Sequence, residues 1–498
     1  MSAQHGLYSV REVRAIEHAA LAAAAPGALM RRAGAAAAAL AQRLLPAGGT
    51  VLVLAGPGNN GGDVLETAAL LADGGYTVCI HLAGHGGLTG ADAAAALHRA
   101  RASPAVFRQA DMTAHWDLAL DGLFGIGLAR AIDGELAALV TALNALRCPV
   151  LALDVPSGLD ADTGAVVGPG GVAVRASHTI TYIADKPGLH TADGCDHAGL
   201  VEVATLDVDP GLYPPPLAVL ADPALFAARL APRRENTHKG SFGDCAILGG
   251  APSMAGAAIL AARSAAMAGA GRVYAGFIDT PPAYDSLHPE IMCRRAADLD
   301  LTRAAVVAGP GLGAGDEAQA LLAQAIAAAA PLVLDADALN MVAANAGMRT
   351  AFAVRVAPTL MTPHPLEAAR LLGCSAAEVQ ADRLVAARRL AATFNAMVVL
   401  KGAGSVMARP DGLAVINVTG NPALATAGTG DVLAGLCGAL LAQHWTPWEA
   451  LLGAVWLHGA AADLLVEQGI GPVGLVASEL PAAIRSCLNR LIRSQSGC

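Results

Sequence analysis

The sequence has no long uninterrupted hydrophobic run, although hydrophobic residues make up 54% of its 498 residues. Alanine-rich segments such as 35–39 inflate that fraction. The longest runs free of Asp, Glu, Lys and Arg, at 318–334 and 432–448, hold only 17 residues each. A helix that spans a bilayer needs about 20 apolar residues. We therefore expect both runs to form buried helices, and we expect no membrane partner.

The chain also lacks a basic cluster, a secretory signal and paired cysteines. A net charge of −9 without basic patches argues against nucleic acid as a partner. Arg11, Glu12 and Arg14 precede any apolar stretch, so we expect no signal peptide. The nine cysteines include no CxxC pair, and several, such as Cys79 and Cys245, lie in apolar strand-like runs where a free thiol acts as a small hydrophobe. This usage predicts a cytoplasmic protein.

Strand-like and Ala-rich helical segments alternate twice along the chain, and a proline-rich break at 209–219 separates the two series. We therefore expect two α/β domains, at 1–212 and 222–498. Continuous Val/Ile/Leu strands between helices indicate parallel sheets, which bind ligands beyond the carboxyl ends of their strands. The strand candidates are 50–56, 76–84, 118–123, 148–155 and 177–184 before the break, and 242–250, 271–278, 304–311, 331–337, 359–365 and 396–404 after it.

Three motifs in the first series place polar residues at strand ends. GPGNNGGD (56–63) follows a strand and precedes a helix that we expect to begin near Asp63, so its glycines let backbone N–H groups approach an anion. The segments 121–128 and 153–164 supply Asp121 and Asp154. Each motif could be a plain turn or helix cap. Three oxygen-bearing residues at three strand ends instead favour a site for a cation and a polar ligand.

These three motifs resemble the signature of the NAD(P)H-hydrate epimerase domain over about residues 8–208. The resemblance implies a Rossmann-like doubly wound sheet, a K⁺ ion bound by Asn60, Asp121 and Ser157, and Asp154 as the acid/base catalyst. Val64 stands where the family usually has glycine, which leaves open whether the epimerase is impaired. The resemblance implies that the hydrated dinucleotide contacts Asn59, Asn60, Gly61, Gly62, Asp63, Gly125, Ile126, Gly127, Leu128, Ala129, Arg130, Ala131 and Asp154.

A second constellation, GNPALATAGTGDVLAG (420–435), combines a Gly-Thr-Gly-Asp loop with an apolar helix that we expect to begin at Val432. Backbone N–H groups and the positive helix end suit phosphate oxygens. Asp431 could accept a proton from an attacking hydroxyl, or it could be a plain helix cap. The segment 401–405, KGAGS, is a second small-residue loop that could pass close to a nucleotide.

Seven further segments in order, at 236–243, 254–271, 288–292, 309–313, 334–340, 362–373 and 400–406, resemble the ADP-dependent NAD(P)H-hydrate dehydratase family of the ribokinase-like superfamily, over about residues 224–494. The resemblance implies a ribokinase-like α/β domain that uses Mg²⁺ and takes ADP as co-substrate. Without the resemblance, His364 would be interpreted as a loop histidine whose hydrogen bonds are satisfied within the protein. The role of Lys239 stays open. The resemblance implies that the hydrated dinucleotide contacts Ala257, Gly313, His364 and Asp431, and that the nucleotide contacts Lys401, Gly402, Ala403, Gly404, Ser405 and Gly430.

The expected activity is therefore bifunctional: epimerisation of the R and S hydrates of NADH and NADPH, and dehydration of the S hydrate at the expense of ADP. Hydroxide is a poor leaving group because water has a pKa of about 15.7, whereas phosphate, with a second pKa of about 6, leaves readily. We expect small-molecule substrates and a homo-oligomer. Two alternatives remain: a vitamin or sugar kinase fused to a Rossmann-like domain, and a first domain that only binds ligand. ADP against ATP and NADH against NADPH stay open.

Overall fold

The computed structural model describes residues 6–84 and 89–495. The chain forms two compact units, Met1–Val219 and Leu220–Cys498. The division between them lies between the two expected domain limits, residues 212 and 222.

Seven strands of the first unit form a parallel sheet in the order β4-β3-β2-β5-β6-β7-β8. A short antiparallel pair, β1 with β9, is separate from it. The strands are β1 (Gly6–Leu7), β2 (Thr50–Ala55), β3 (Thr77–Leu82), β4 (Val106–Phe107), β5 (Leu118–Gly122), β6 (Val150–Leu153), β7 (His178–Tyr182), β8 (Leu200–Ala204) and β9 (Ala218–Leu220). The helices are α1 (Val10–Ala23), α2 (Ala28–Leu44), α3 (Asn59–Asp73), α4 (Ala91–Ala102), α5 (Gly134–Asn144) and α6 (Gly194–His197).

This sheet is doubly wound, and alternate residues of its central strand enter two different cores. Val51 and Val53 pack with α2, α3 and α4 on one face, whereas Leu52 and Leu54 pack with α5 on the other. The chain runs from β2 to β3 and β4 on one side and from β5 to β8 on the other. The strand order therefore reverses between β2 and β5, which is where open parallel sheets bind ligands.

In the second unit, nine strands are ordered β18-β17-β16-β15-β14-β13-β10-β11-β12. The strands are β10 (Asp244–Gly249), β11 (Arg272–Phe277), β12 (Met292–Arg295), β13 (Ala305–Ala308), β14 (Leu332–Leu334), β15 (Thr359–Met361), β16 (Met397–Leu400), β17 (Val406–Ala408) and β18 (Ala414–Ile416). The helices are α7 (Ala255–Met267), α8 (Asp316–Ala327), α9 (Ala336–Ala344), α10 (Ala346–Ala353), α11 (Pro365–Leu372), α12 (Ala376–Ala381), α13 (Arg383–Phe394), α14 (Thr429–Ala442), α15 (Pro447–Glu467) and α16 (Leu480–Gln495).

The expected parallel pairing extends from β12 through β16, but β17 and β18 pair antiparallel. Short connections join β16, β17 and β18, and such connections can only join antiparallel neighbours.

The interpretation of the two 17-residue runs as single helices was wrong. The run 318–334 leaves helix α8 and enters strand β14, and the run 432–448 crosses from α14 into α15. Apolar composition alone does not separate a buried strand from a buried helix.

Small residues bring α14 close to α7 and to the sheet. A side chain at Gly435 would meet the carbonyl oxygen of Ala261, and one at Gly438 would meet Cys245 of β10.

Among the described helices, α15 alone is long and apolar enough to cross a membrane by length and composition. Of its most apolar 18-residue window, 72% is buried inside the protein, so core packing accounts for its composition.

Candidate active sites

A cleft of about 510 Å³ opens at the carboxyl ends of β2, β5, β6 and β7 in the first unit. The structure brings most of the predicted dinucleotide contacts to its walls: Asn59, Asn60, Asp63, Gly125, Ile126, Gly127, Leu128 and Asp154. The other predicted contacts, Gly61, Gly62, Ala129, Arg130 and Ala131, are not among the residues that line it. The site thus lies beside the reversal of strand order between β2 and β5.

The loop after β2 is shorter than expected, because α3 begins at Asn59 and not near Asp63. Close backbone packing explains this early start. A Cβ atom at Gly56 would lie 1.8 Å from the carbonyl oxygen of Leu123, and one at Gly61 would lie 1.9 Å from the carbonyl oxygen of Gly56. Gly56 therefore lets the segment before α3 approach the loop after β5, and Gly61 lets the first turn of α3 approach that segment. This close packing outweighs the low helix propensity of Gly61.

Asp154 follows β6 in a left-handed conformation, with φ of 64°. Its Oδ2 atom accepts a hydrogen bond from the backbone N–H of Ile126 at 3.1 Å, and its Oδ1 atom lies 3.0 Å from Nζ of Lys186. A side chain at Gly125 would lie 2.7 Å from Oδ2 of Asp154. The glycine-rich loop after β5 therefore fixes the carboxylate that the resemblance assigns to catalysis.

Lys186 is a functional residue that the sequence interpretation missed. Its side chain is fully buried, and Nζ donates to the Thr181 hydroxyl and to the carbonyl oxygens of Tyr182 and Ala184. Together with Asp154, these residues give Nζ four oxygen partners. A buried ammonium group needs such partners because burial removes its contacts with water. One signal was available: the chain has only three lysines, and this one directly follows a predicted buried strand.

Three ionisable groups face Asp154 across the cleft. Burial, followed by the charges of Asp154 and Glu17, raises the pKa of Asp63 well above its usual range. Burial and Asp154 also raise the pKa of Glu17. The Tyr182 hydroxyl is buried without a hydrogen-bond partner, and burial raises its pKa well above the usual value. The cleft therefore favours the protonated forms of these three groups.

Asp121, at the end of β5, is fully buried and bound to Ser157. It accepts hydrogen bonds from the Ser157 hydroxyl at 2.6 Å, from the Ser157 N–H at 2.8 Å and from the Leu123 N–H at 3.2 Å. Burial raises its pKa to about 6, although these hydrogen bonds lower it. No lysine or arginine forms an ion pair with Asp121 within the described ranges, so a bound cation would compensate its charge.

Asn60 is the third predicted cation ligand. It is buried, and neither its amide oxygen nor its amide nitrogen has a hydrogen-bond partner. Its side chain lies against Gly125, in the same loop as Phe124, whose carbonyl oxygen is 3.1 Å from the Ser157 hydroxyl. A buried amide without a partner is costly unless a ligand supplies the missing contact. The residues present therefore fit a monovalent cation held by neutral oxygens and one carboxylate.

Val64, the departure from the family pattern, does not line the cleft. It is fully buried, and a side chain at Gly122 would meet its Cβ and Cγ1 atoms at 2.4 Å. The added bulk thus fills space against strand β5 and leaves the ligand cleft open.

In the second unit, Asp431 lies inside α14, whose first residue is Thr429 and whose preceding residue is Gly428 with φ of 90°. The expected start at Val432 was therefore three residues late. The left-handed glycine before the helix lets the Gly-Thr-Gly segment close the first turn, so Asp431 belongs to that turn. Burial, and then the charge of Asp335, raises the pKa of Asp431 to about 6.

Lys401 connects Asp431 to the rest of this site. Its Nζ atom lies 2.8 Å from Oδ1 of Asp335, which also accepts a hydrogen bond from the Thr362 hydroxyl at 2.7 Å. Burial lowers the pKa of Lys401, but nearby carboxylates, Asp335 first, more than offset this and raise it. A side chain at Gly430 would lie 3.3 Å from Nζ. The ammonium group therefore faces the first turn of α14, where phosphate oxygens are expected.

His364 is the residue that precedes α11, and its ring caps the helix. Nδ1 accepts from the backbone N–H groups of Leu366 and Glu367, which leaves Nε2 with the proton, 3.2 Å from the Glu367 carboxylate. Burial and the charge of Lys401 lower the pKa of His364. The backbone N–H of Lys401 donates to Pro363 at 2.9 Å, so the capped turn and Lys401 are neighbours.

The KGAGS loop depends on Arg383, another residue that the sequence interpretation missed. Arg383 is buried and donates to the carbonyl oxygens of Leu400 and Lys401 at 3.2 Å. A side chain at Gly402 would lie 2.8 Å from this guanidinium group, and Gly402 has φ of 141°. The Ser405 hydroxyl closes the loop onto the Gly402 carbonyl oxygen at 3.0 Å.

The remaining predicted contacts have different surroundings. The backbone N–H of Gly313, which has φ of 72°, donates to the Asp337 carboxylate at 2.8 Å. The negative charge of Asp337 also contributes to the raised pKa of Asp431. Ala257 in α7 lies against Gly311. Lys239 is exposed in the segment 231–240, so the structure gives it no place among the clustered charges.

Two families of known proteins match parts of this chain. Residues 245–484 match the family described as NAD(P)H-hydrate dehydratase, and residues 26–188 match the family described as YjeF-related protein N-terminus. A solved structure, the ADP/ATP-dependent NAD(P)H-hydrate dehydratase from Bacillus subtilis, is 34% identical, with 54% of this chain and 97% of that chain covered and a TM-score of 0.49.

Curated relatives extend over both units. The bifunctional NAD(P)H-hydrate repair enzymes Nnr of Coxiella burnetii and Escherichia coli are each 37% identical, covering 88% of this chain and 90% and 85% of their own lengths. The ADP-dependent (S)-NAD(P)H-hydrate dehydratase of Neisseria meningitidis is 45% identical over 55% of this chain and 92% of its own. The fold and the two sites define a two-domain α/β enzyme with separate reaction centres. The chain belongs to the bifunctional NAD(P)H-hydrate repair enzyme family.

The buried Lys186–Asp154 pair generates a stability prediction. Lys186→Met leaves Asp154 without its cation, so we expect the free energy of unfolding to fall by about 3 kcal/mol or more in urea titrations. Lys239→Met, at an exposed lysine, is the control and should change it by less than about 0.5 kcal/mol. A loss below about 1 kcal/mol for Lys186→Met would contradict the importance of the pair.

Proposed function

We propose that the first unit interconverts the R and S hydrates of NADH and NADPH, and that the second unit dehydrates the S hydrate at the expense of ADP. The observation that carries this proposal is Asp431, held in the first turn of α14 beside Lys401 with its pKa raised to about 6. A carboxylate with such a pKa is ionised at neutral pH and still accepts a proton more readily than an ordinary one.

The dehydration proceeds in two steps. Asp431 takes the proton of the substrate hydroxyl as its oxygen attacks the terminal phosphorus of ADP, and AMP leaves. The lone pair of the nicotinamide ring nitrogen then expels phosphate, and loss of a ring proton restores the double bond. Lys401 and the N–H groups at the start of α14 are placed to receive phosphate oxygens.

We propose that Mg²⁺ enters with the nucleotide. Within residues 6–84 and 89–495, no group of three or more His, Cys, Asp or Glu side chains could hold a metal ion. Mg²⁺ usually binds through one or two carboxylates, substrate phosphates and water, so such a cage is not required. When bound, the ion neutralises charge on the transferred phosphate.

In the first unit, K⁺ would be held by Asn60, Asp121 and Ser157. The support is the unpartnered buried amide of Asn60 and the uncompensated charge of Asp121. When bound, K⁺ supplies positive charge beside the loop that contacts Asp154. The cytoplasmic location and the homo-oligomer stay predictions.

Two matched variants of the full chain separate the two activities. Given both hydrate epimers and excess ADP, the wild-type protein should recover all of the reduced-nicotinamide absorbance. Asp154→Asn should recover the fraction present as the S epimer and then slow to the spontaneous epimerisation rate. Asp431→Asn should recover none and still equilibrate the epimers, because its carboxylate acts in the other unit.

Spontaneous epimerisation measured without protein is the baseline for this comparison. Full recovery by Asp154→Asn above that baseline would remove the case for an epimerase. A stable phosphorylated product from the wild-type protein would instead identify a kinase.

The raised pKa of Asp431 predicts a pH profile for dehydration. Because the base must be ionised, kcat should be level above about pH 6 and should fall about tenfold for each unit below it. Asp335 raises this pKa through its charge, so Asp335→Asn should move the acid limb to lower pH, whatever it does to the maximum rate. An unchanged limb in that variant would contradict the assignment.

The cation site predicts a salt effect on the first unit. Affinity of the first unit for the hydrated dinucleotide, taken from the KM of epimerisation in an Asp431→Asn chain, should be several-fold higher in potassium than in a bulky organic cation at equal ionic strength. Asp121→Ala should remove the difference and leave the dehydratase of an otherwise wild-type chain unchanged. Equal affinities in both salts before mutation would contradict the cation site.

A further inference from the structure

Asp63 and Asp154 both line the cleft of the first unit, but the protein surrounds them differently. Asp154 has a cation at 3.0 Å, Lys186, and a backbone N–H donor at 3.1 Å, Ile126. Both of its oxygens therefore have a partner in the folded protein.

The side chain of Asp63 has no such partners. Within the part of the chain that the structure describes, it has no ion pair and no hydrogen bond. The Thr67 hydroxyl donates to the backbone carbonyl oxygen of Asp63 at 2.8 Å and not to its carboxyl group. Lys186 is not available to it, because the ammonium group already has four oxygen partners.

The surrounding charges reinforce this difference. The charges of Asp154 and of Glu17 on α1 disfavour an ionised Asp63, and Tyr182 at the end of β7 presents a neutral hydroxyl. Arg14 also lines the cleft, but its guanidinium reaches the Ile126 carbonyl oxygen at 3.5 Å and forms no ion pair with Asp63 in the described part of the chain. Burial raises the pKa of Asp63 well above its usual range, which agrees with a protonated carboxyl group. Two acids in one cleft, one with a cationic partner and one without, are a pattern typical of acid/base catalysis.

We propose that Asp63 is the proton donor of the epimerase, a catalytic residue that acts together with Asp154 as the proton acceptor. This inference rests on the proposed function of the first unit. In the route that we propose, inversion at the carbon that carries the hydroxyl group occurs because oxygen leaves one face and oxygen returns to the other. One group must therefore give a proton and a second must take one.

Asp63 gives its proton to the hydroxyl oxygen as the bond from that oxygen to the ring carbon breaks and water leaves. The lone pair of the ring nitrogen forms a double bond to the carbon. A water molecule then adds to the opposite face, the electron pair returns to nitrogen, and Asp154 takes the proton of that water. Exchange with solvent returns the proton to Asp63.

The test is Asp63→Asn in the full chain, with epimerisation followed by separation of the two hydrates. Asparagine resembles a protonated aspartate in shape but has no proton to give. We therefore expect kcat to fall about 100-fold or more with KM within about three-fold of wild type. Asp63→Glu should restore part of kcat. Asp73→Asn, the same change at an exposed position of α3, is the matched control and should leave both parameters unchanged.

Hydrate affinity and thermal unfolding of Asp63→Asn show whether the cleft is intact. A rise in KM that accounts for the whole loss would make Asp63 an ionised ligand contact and overturn the inference. A kcat of Asp63→Asn within about three-fold of wild type would also overturn it. The same holds if kcat falls about 100-fold in Glu17→Gln or Tyr182→Phe and not in Asp63→Asn. A wild-type chain that does not interconvert the hydrates contradicts the proposed function itself, whereas interconversion that survives Asp63→Asn contradicts this inference alone.

Discussion

The burial of charge at the ends of parallel strands is the constraint on which both sites depend. An isolated ion inside a protein costs many kcal/mol, so each buried charge here has a counter-charge or a set of dipoles. Two of the three lysines meet this requirement: Lys186 pairs with Asp154 in the first unit, and Lys401 pairs with Asp335 in the second. In each pair the lysine follows a strand of the same sheet as the aspartate, so the sheet sets the distance between them.

This pairing leaves other carboxyl groups without a cation of their own. Asp63 and Asp431 are each partly buried beside a paired aspartate, and burial together with that neighbouring charge raises the pKa of both. The same physical arrangement therefore produces a proton-handling group in each unit, although the folds bind different ligands. In each unit, the aspartate of the ion pair is also the neighbouring charge that raises the pKa of the unpaired carboxyl group.

Much of the molecule could be predicted from the sequence, because local signals and tertiary structure agree in it. The strand after Gly49 and the strand before Lys401 are runs of Val and Leu, and both are central strands in the structure. The helix starts were less predictable. At 59–63 and 428–431 the glycines indicate a loop by propensity, but the helices begin at Asn59 and Thr429. Gly61 packs closely against the Gly56 backbone, and Gly428 takes a left-handed conformation just before its helix.

The residues missed by the sequence interpretation share one property. Lys186 acts on Asp154 and Arg383 acts on Lys401, and no spacing rule connects the members of either pair. A buried lysine and an exposed lysine look alike in a sequence, because the difference lies in the oxygens that surround them after folding.

The sequence by itself determined the two α/β units, the order of their strands along the chain, and the glycine and aspartate motifs at the strand ends. These depend on periodicity and on local turn chemistry, which act between near neighbours. The tertiary structure alone decided which aspartate is paired and which carries a raised pKa. Desolvation and charge act through space, so they depend on the packing of α1, α3 and the loops after β5 and β6, which no local pattern records.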